Sequence, residues 1–226
     1  MKRIFILLLA LAAALLPLSA LAQKGTPATV TVNGSATVSV PADYAKVNLG
    51  VETSAAAVAD ALKENAARID AVLAALRGAG IAAEDIVTDR FYVYTQYDYA
   101  EGRTRSYQVS NALTVTVRDL AQIGSVIDLA MDAGANTCGG ITFYSNAADQ
   151  AADEALAAAI AEARRRAILA AEAGGMTLGR LVSLQEGGGA YNGVRLAKSA
   201  DLGAGTQILA EGLDFTAQVS ATFEMQ

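Results

Sequence analysis

Much of the chain carries hydrophobic side chains at every second position, which is the pattern of strands with one buried face. Between residues 44 and 53 the alternating positions are Ala45, Val47, Leu49 and Val51. The last such segment spans residues 213–225 and has Phe215, Ala217, Val219, Ala221 and Phe223 on one face. Shorter strands are predicted near residues 86–97, 107–117, 140–144 and 180–185.

Two further segments have apolar residues at helical spacing and lie between predicted strands. The first covers about residues 55–77 and ends at Gly78, because glycine is common just after a helix. The second begins at Asp119, a predicted N-cap with Gln122 three residues later, and it stops at Gly134.

A third helix is predicted from about residue 147 to residue 173, capped by Asn146. Alanine recurs at every fourth position of this helix, at Ala155, Ala159, Ala163, Ala167 and Ala171. Such small side chains let a helix lie close to a sheet or to another helix, and the row winds slowly around the helix axis. The row indicates close packing within the chain first, and an oligomer interface second.

Residues 30–40 are predicted to form one strand or a hairpin, because Asn33 and Gly34 are typical turn or bulge residues. Strands interleaved with three helices indicate the α+β class. We therefore predict a mostly antiparallel sheet with three helices packed on it.

The N-terminus has the layout of a secretory signal peptide. Lys2 and Arg3 precede an uncharged apolar stretch, residues 4–16, and the small residues Ala20 and Ala22 mark a cleavage site. The alternative is a retained membrane anchor, for which the apolar stretch is short against the roughly 20 residues that a span requires. We predict removal of residues 1–22, a domain at 23–226, and a periplasmic or secreted protein with no stable membrane span after cleavage.

The amino-acid composition excludes several classes of catalytic and metal-binding site. The chain has 226 residues, no histidine and one cysteine, which excludes histidine-based catalysis, histidine-ligated metals and an intramolecular disulfide. Its formal net charge is −6, which argues against nucleic acid or an anionic lipid surface as a partner. The hydrophobic share of 53% reflects the N-terminal stretch and abundant alanine rather than membrane spans.

The remaining candidates for chemistry have structural explanations. Cys138 has no basic residue close in sequence to lower its pKa, so a buried, small apolar role is predicted, with an intermolecular disulfide as the alternative. The acidic residues are expected in a loop or in the first turns of a helix: Glu84, Asp85, Asp149, Asp153 and Glu154. The arginine run 164–166 cannot share one helical face, so it is not a focused anion site. We predict no catalytic, cofactor or metal-binding residues.

Residues 186–206 form a glycine-rich segment without a regular hydrophobic period. Its glycine spacing matches neither a dinucleotide-binding loop nor a P-loop. Structureless segments of this length in a compact domain are usually mobile or functional. The segment is either a surface loop or a flap that closes over a small ligand or peptide.

Five of the eight tyrosines fall within sixteen positions, on two neighbouring predicted strands and around the turn at residues 101–102 that joins them: Tyr92, Tyr94, Tyr97, Tyr99 and Tyr107. Tyrosine combines a broad apolar ring with a polar tip and is enriched at protein interfaces. Cross-strand pairing within the sheet explains the cluster equally well. We therefore treat these five residues as a candidate interface.

The order and spacing of several blocks resemble the SIMPL domain family, also called DUF541, from about residue 28 to the end. The blocks are Val32-Asn33-Gly34, Pro41-Ala42-Asp43, Gly80-Ile81, Asp85-Ile86-Val87-Thr88, Asn111, Leu113 to Val117, Asp119-Leu120, Gly134-Ala135-Asn136, Gly140 to Phe143, Ala155 to Ala171 and Leu178 to Val182. The family usually has proline directly followed by aspartate, whereas Ala42 intervenes here, and the resemblance assigns no role to Cys138.

The resemblance implies an extracytoplasmic α+β protein with a loose link to envelope stress and no agreed catalytic residues. It also implies self-assembly, since at least one member forms a large ring-like or channel-like oligomer. The first functional hypothesis is therefore a non-catalytic envelope protein that forms a homo-oligomer and supports envelope or oxidative stress tolerance. A binding module that uses residues 186–206 is the alternative, and an enzyme is the third hypothesis.

Overall fold

The computed structural model describes residues 27–98, 102–187, 191–196 and 210–226. The strands in this part of the chain are β1 (Thr29–Val40), β2 (Tyr44–Ala55), β3 (Ile86–Asp98), β4 (Arg103–Val117), β5 (Thr137–Tyr144), β6 (Leu178–Glu186), β7 (Tyr191–Leu196) and β8 (Ala210–Met225). The α-helices are α1 (Val58–Gly78), α2 (Ile123–Asp132) and α3 (Ala148–Ala173).

The strands form two four-stranded sheets. The first has the order β1-β8-β6, with β7 also paired to β8, and the second has the order β3-β4-β2-β5. Every strand pair in the described residues is antiparallel. The predicted α+β class, antiparallel pairing and three helices are confirmed, and the expected single sheet is divided in two.

The second sheet buries one face under α1 and α2. The alternating residues of β2 that were predicted to point inward, from Ala45 to Val51, are at most 1% exposed. Asn65 of α1 is also buried, and its Nδ2 donates to the carbonyl oxygens of Val51 at 2.9 Å and Val109 at 3.4 Å. These hydrogen bonds satisfy a buried polar side chain and tie α1 to β2 and β4.

The first sheet is covered by α3. The alanine row of the helix is completely buried against the alternating residues of β8, which confirms the predicted close packing. In β1, Asn33 and Gly34 stay in register with Ser220 and Val219, without a turn or a bulge. The hairpin alternative is therefore wrong: α3 packs directly over Gly34, and a side chain there would collide with Ala159 and Ala163.

The helix ends differ in part from the prediction. Asp119 does act as a cap: its Oδ1 accepts from the Ala121 amide at 3.1 Å, at the start of a short 3₁₀ turn that leads into α2. Asn146 does not cap α3, because its side chain makes no capping bond and its own amide donates to Asp43 Oδ2 at 2.6 Å. The hydroxyl of Ser145 instead accepts from the Ala147 amide at 3.3 Å.

Part of the glycine-rich segment forms a strand. Residues 191–196 form β7, which continues along the edge of β8 that β6 also occupies. The expectation of a structureless stretch is wrong for these residues, because backbone pairing with β8 does not need a hydrophobic period. The parts of the segment at 188–190 and 197–206 lie outside the described residues.

No helix in the described part of the chain combines the length and apolar character that crossing a membrane requires. The predicted signal peptide, residues 1–22, lies outside the described residues.

Candidate interaction surface

The strand β3 forms one outer edge of the second sheet. Within the described residues β3 pairs with β4 and with no other strand. Every second backbone N–H and C=O of an edge strand points away from its neighbour, so this edge presents a row of groups that can pair with another chain.

Both faces of β3 are exposed as well. We call its large exposed side chains the β3 edge surface: Phe91 52%, Tyr92 57%, Val93 42%, Tyr94 43% and Tyr97 49% exposed. Phe91 and Val93 lie opposite Asn111 and the buried Val109, on the face that α1 covers elsewhere. Tyr92 and Tyr94 therefore point to the opposite face.

The position of α1 explains why Phe91 and Val93 stay exposed. The helix packs on β2 and β4, in the middle of the sheet. The next strand outward, β3, therefore has apolar residues on the helix-facing side that the helix does not bury. An apolar edge strand open on both faces is uncommon in a monomer, since natural proteins usually protect such edges.

The sequence of β3 lacks the usual protection. Its charged pair, Asp89 and Arg90, stands at a bulge near the start of the strand, and residues 91–97 contain no charge and no proline. Register shifts occur on both edges of this sheet: β3 has them at residues 88–90 and 96–97, and β5 has one next to Gly139 and Gly140. Between its two shifts β3 pairs regularly with β4, so residues 91–96 form a continuous uncharged edge.

The five tyrosines singled out from the sequence are separated by the structure. Tyr92, Tyr94 and Tyr97 belong to the β3 edge surface, Tyr107 is half-buried on β4, and Tyr99 lies outside the described residues. Sequence reasoning missed Phe91 and Val93. The signal that could have found them is the uncharged run itself, because a strand with one solvated face should alternate with polar residues.

The candidate acidic residues have structural partners or exposed positions. Asp85 accepts from Arg118 Nε at 3.1 Å and Nη2 at 2.6 Å, and this carboxylate raises the pKa of Arg118. Glu154 accepts from Gln150 at 2.8 Å on the surface of α3, where Asp149 and Asp153 are exposed. Among the described residues no three acidic or cysteine side chains come close enough to hold a metal ion.

Cys138 is exposed on β5, so the predicted buried role is wrong. In the register it lies opposite the buried Leu49, but β5 is an edge strand of the second sheet. Cys138 borders an open cleft of about 220 Å³ whose polar lining includes Asn48 and Glu52. Both side chains already accept hydrogen bonds within the sheet, from Thr114 at 2.8 Å and Gln108 at 3.1 Å. These two polar groups of the cleft are therefore engaged within the sheet.

Comparison with known proteins identifies the family. The SIMPL family profile, described as a protein of unknown function (DUF541), matches residues 30–223. The chain is 30% identical over 167 residues to the 26 kDa periplasmic immunogenic protein of Brucella melitensis, covering 71% of this chain and 67% of that protein. It is 28% identical over 140 residues to the uncharacterized protein YggE of Escherichia coli K12, covering 61% and 57%. The chain belongs to the SIMPL (DUF541) family.

Proposed function

We propose that this protein is a non-catalytic, exported SIMPL-domain protein that self-assembles through the β3 edge surface. The observation that carries the proposal is the edge of β3, which is uncharged over residues 91–97, has no partner strand among the described residues and exposes large apolar side chains on both faces. Pairing with another copy would satisfy the backbone groups of the edge and remove these side chains from water.

Continuous sheet formation between copies explains why both faces matter. When an edge strand pairs with a second strand, its side chains lie beside those of the partner on both faces of the sheet. Phe91 and Val93 would then pack on one face, and Tyr92 and Tyr94 on the other. Aromatic and β-branched residues contribute most in such cross-strand pairs, so the composition of the edge suits assembly.

Export is supported by the N-terminal sequence and by the family. The charged start, the apolar stretch and the Ala20-Leu21-Ala22 site have the order of a cleavable signal peptide. The Brucella relative is named as a periplasmic protein. A role in tolerance of envelope or oxidative stress completes the proposal and rests on the family resemblance alone.

A mass measurement on protein recovered from the periplasm of a Gram-negative host tests export and assembly together. Under denaturing conditions we expect a chain that begins at Gln23, and so a mass below the 23.1 kDa of the full sequence. Under native conditions we expect an integer multiple of that mass. A chain that keeps residues 1–22 would contradict cleavage, and a single-chain native mass at high protein concentration would contradict assembly.

A further inference from the structure

A second apolar row runs along α3 beside the buried alanines. It consists of Leu156, Ile160 and Ile168, with Arg164 as its one charged member. Leu156 and Ile160 are half-buried against the core of the first sheet. This row lies one position after the alanine row at each turn, so it borders the contact between α3 and the sheet.

The row faces a groove at the β6 side of the sheet. Leu181 and Leu184 of β6 lie opposite Phe223 and Ala221, so they share the face on which α3 packs. The helix rests mainly on β1 and β8, and Leu181 and Leu184 remain 45% and 40% exposed. The resulting groove encloses about 270 Å³ between Ile160 and Arg164 on one side and β6 on the other.

The arginines around this groove differ in how their charges are balanced. Arg180, at one end, donates from Nε and Nη2 to Glu224. Arg165 and Arg166 both donate to Glu162, which lowers the pKa of that carboxyl to about 2 and keeps it ionised.

Arg164 makes no hydrogen bond or ion pair in the part of the chain that the structure describes. Glu186 lies opposite Val219, on the same face of the sheet, and forms no hydrogen bond or ion pair with Arg164. The groove therefore combines apolar walls with one guanidinium group whose charge is not paired with any described side chain.

We propose that this groove binds a small, single-chain anionic amphiphile, with its carboxylate on Arg164 and its hydrocarbon chain along Leu181, Leu184 and Phe223. An arginine presents a planar pair of donors that matches a carboxylate, and its aliphatic stem can lie along the chain of the ligand. The apolar walls gain from removing that chain from water.

The volume of the groove and the net charge of the protein limit which amphiphiles it can bind. A volume of about 270 Å³ lies just below the usual range for small-molecule sites, which is about 300–1,000 Å³, so the groove suits a medium-length chain rather than a long one. The net charge of −6 repels an anionic membrane surface, so the ligand is a dissolved monomer. The groove is on the other sheet from the β3 edge surface, so it does not depend on the proposed assembly.

Titration calorimetry with decanoate, kept below the concentration at which it forms micelles, tests this site on the exported protein. We expect saturable binding with one decanoate per chain, weaker binding of the neutral decanol, and none of acetate. Arg164→Gln should weaken decanoate binding at least about tenfold, because it removes a charge-assisted hydrogen bond. Leu184→Gln should weaken decanoate and decanol alike.

The matched control is Arg165→Gln, which removes the same charge from the neighbouring position of α3 and should leave decanoate affinity unchanged. Equal decanoate affinity in Arg164→Gln and the parent protein would overturn the proposal. It would also be overturned if the chain bound phosphatidylglycerol vesicles without saturable decanoate binding. A third outcome would also contradict the proposal. If the parent protein did not bind decanoate and Arg164→Gln changed the native mass, the groove would be a contact with a second copy of the chain.

Discussion

Replacing Gly34 by alanine is expected to destabilise the fold by about 3 kcal/mol, the upper part of the usual range for overpacking a close contact. A Cβ atom at this position would lie 2.7 Å from the backbone nitrogen of Ala163 and 2.9 Å from its Cβ, and it would also collide with the Ala159 carbonyl. These neighbours are backbone atoms and a methyl group, so no side chain can rotate away. Either α3 moves off the sheet or β1 bends.

Urea unfolding followed by circular dichroism measures this effect as a lower midpoint with an unchanged slope. Gly78→Ala is the matched control, because Gly78 is the last residue of α1 and a Cβ there meets nothing within 4 Å. Alanine is favoured over glycine in a helix by up to about 1 kcal/mol, so this variant should be as stable as the parent or more so. Equal midpoints for Gly34→Ala and Gly78→Ala would show that α3 does not approach β1 this closely.

The double variant Val93→Lys/Tyr94→Lys is expected to dissociate the assembly into single chains. It places one charge on each face of β3, and lysine on an edge strand is a common natural device against pairing. Both side chains are more than 40% exposed, and the stem of a lysine at position 93 can still cover Val109. The fold should therefore persist while the dissociation constant of the assembly rises at least about tenfold.

Light scattering over a concentration series distinguishes the double variant from Leu169→Lys, its control. Leu169 is the most exposed large apolar residue on α3, at 60%, and its replacement adds a lysine away from β3. If the assembly persists in the double variant, or if it dissociates to the same extent in Leu169→Lys, the β3 edge surface is excluded as the contact between copies.

The features that were predicted correctly depend on the spacing of hydrophobic residues within a single segment. The alternation in β2 and β8, and the four-residue alanine spacing in α3, each point directly to one buried face. The α+β class follows from how these segments are interleaved. Periodicity contains no information on which strands pair, so the division into two sheets could not be predicted from it.

The incorrect predictions concern residues whose roles depend on distant partners. Asn33 and Gly34 have the composition of a turn, but the approach of α3 about 125 residues later requires glycine in a continuous strand. Asn146 has the chemistry of an N-cap, but α3 begins only at Ala148, and the backbone amide of Asn146 donates to Asp43, about 100 residues earlier in the chain. Cys138 lies opposite the buried Leu49 and is nevertheless exposed, on a strand that topology places at the edge of the second sheet.

The candidate interface was only partly visible in the sequence. Clustered tyrosines pointed to the correct strand, but which of them are exposed depends on β3 being an edge and on α1 stopping at β4. From the sequence alone, Phe91 and Val93 would be predicted to be ordinary core residues of a half-buried strand, because the sequence does not show that β3 is an edge strand.

Amide hydrogen exchange along β3 tests the central claim most directly. Peptides covering residues 91–97 should exchange slowly at high protein concentration and faster on dilution, because the outer amides of the strand find partners only in another copy. Peptides covering residues 45–51 of β2, which is paired on both sides, should show the same protection at every concentration. Exchange in residues 91–97 that does not change with protein concentration would contradict assembly through the β3 edge surface.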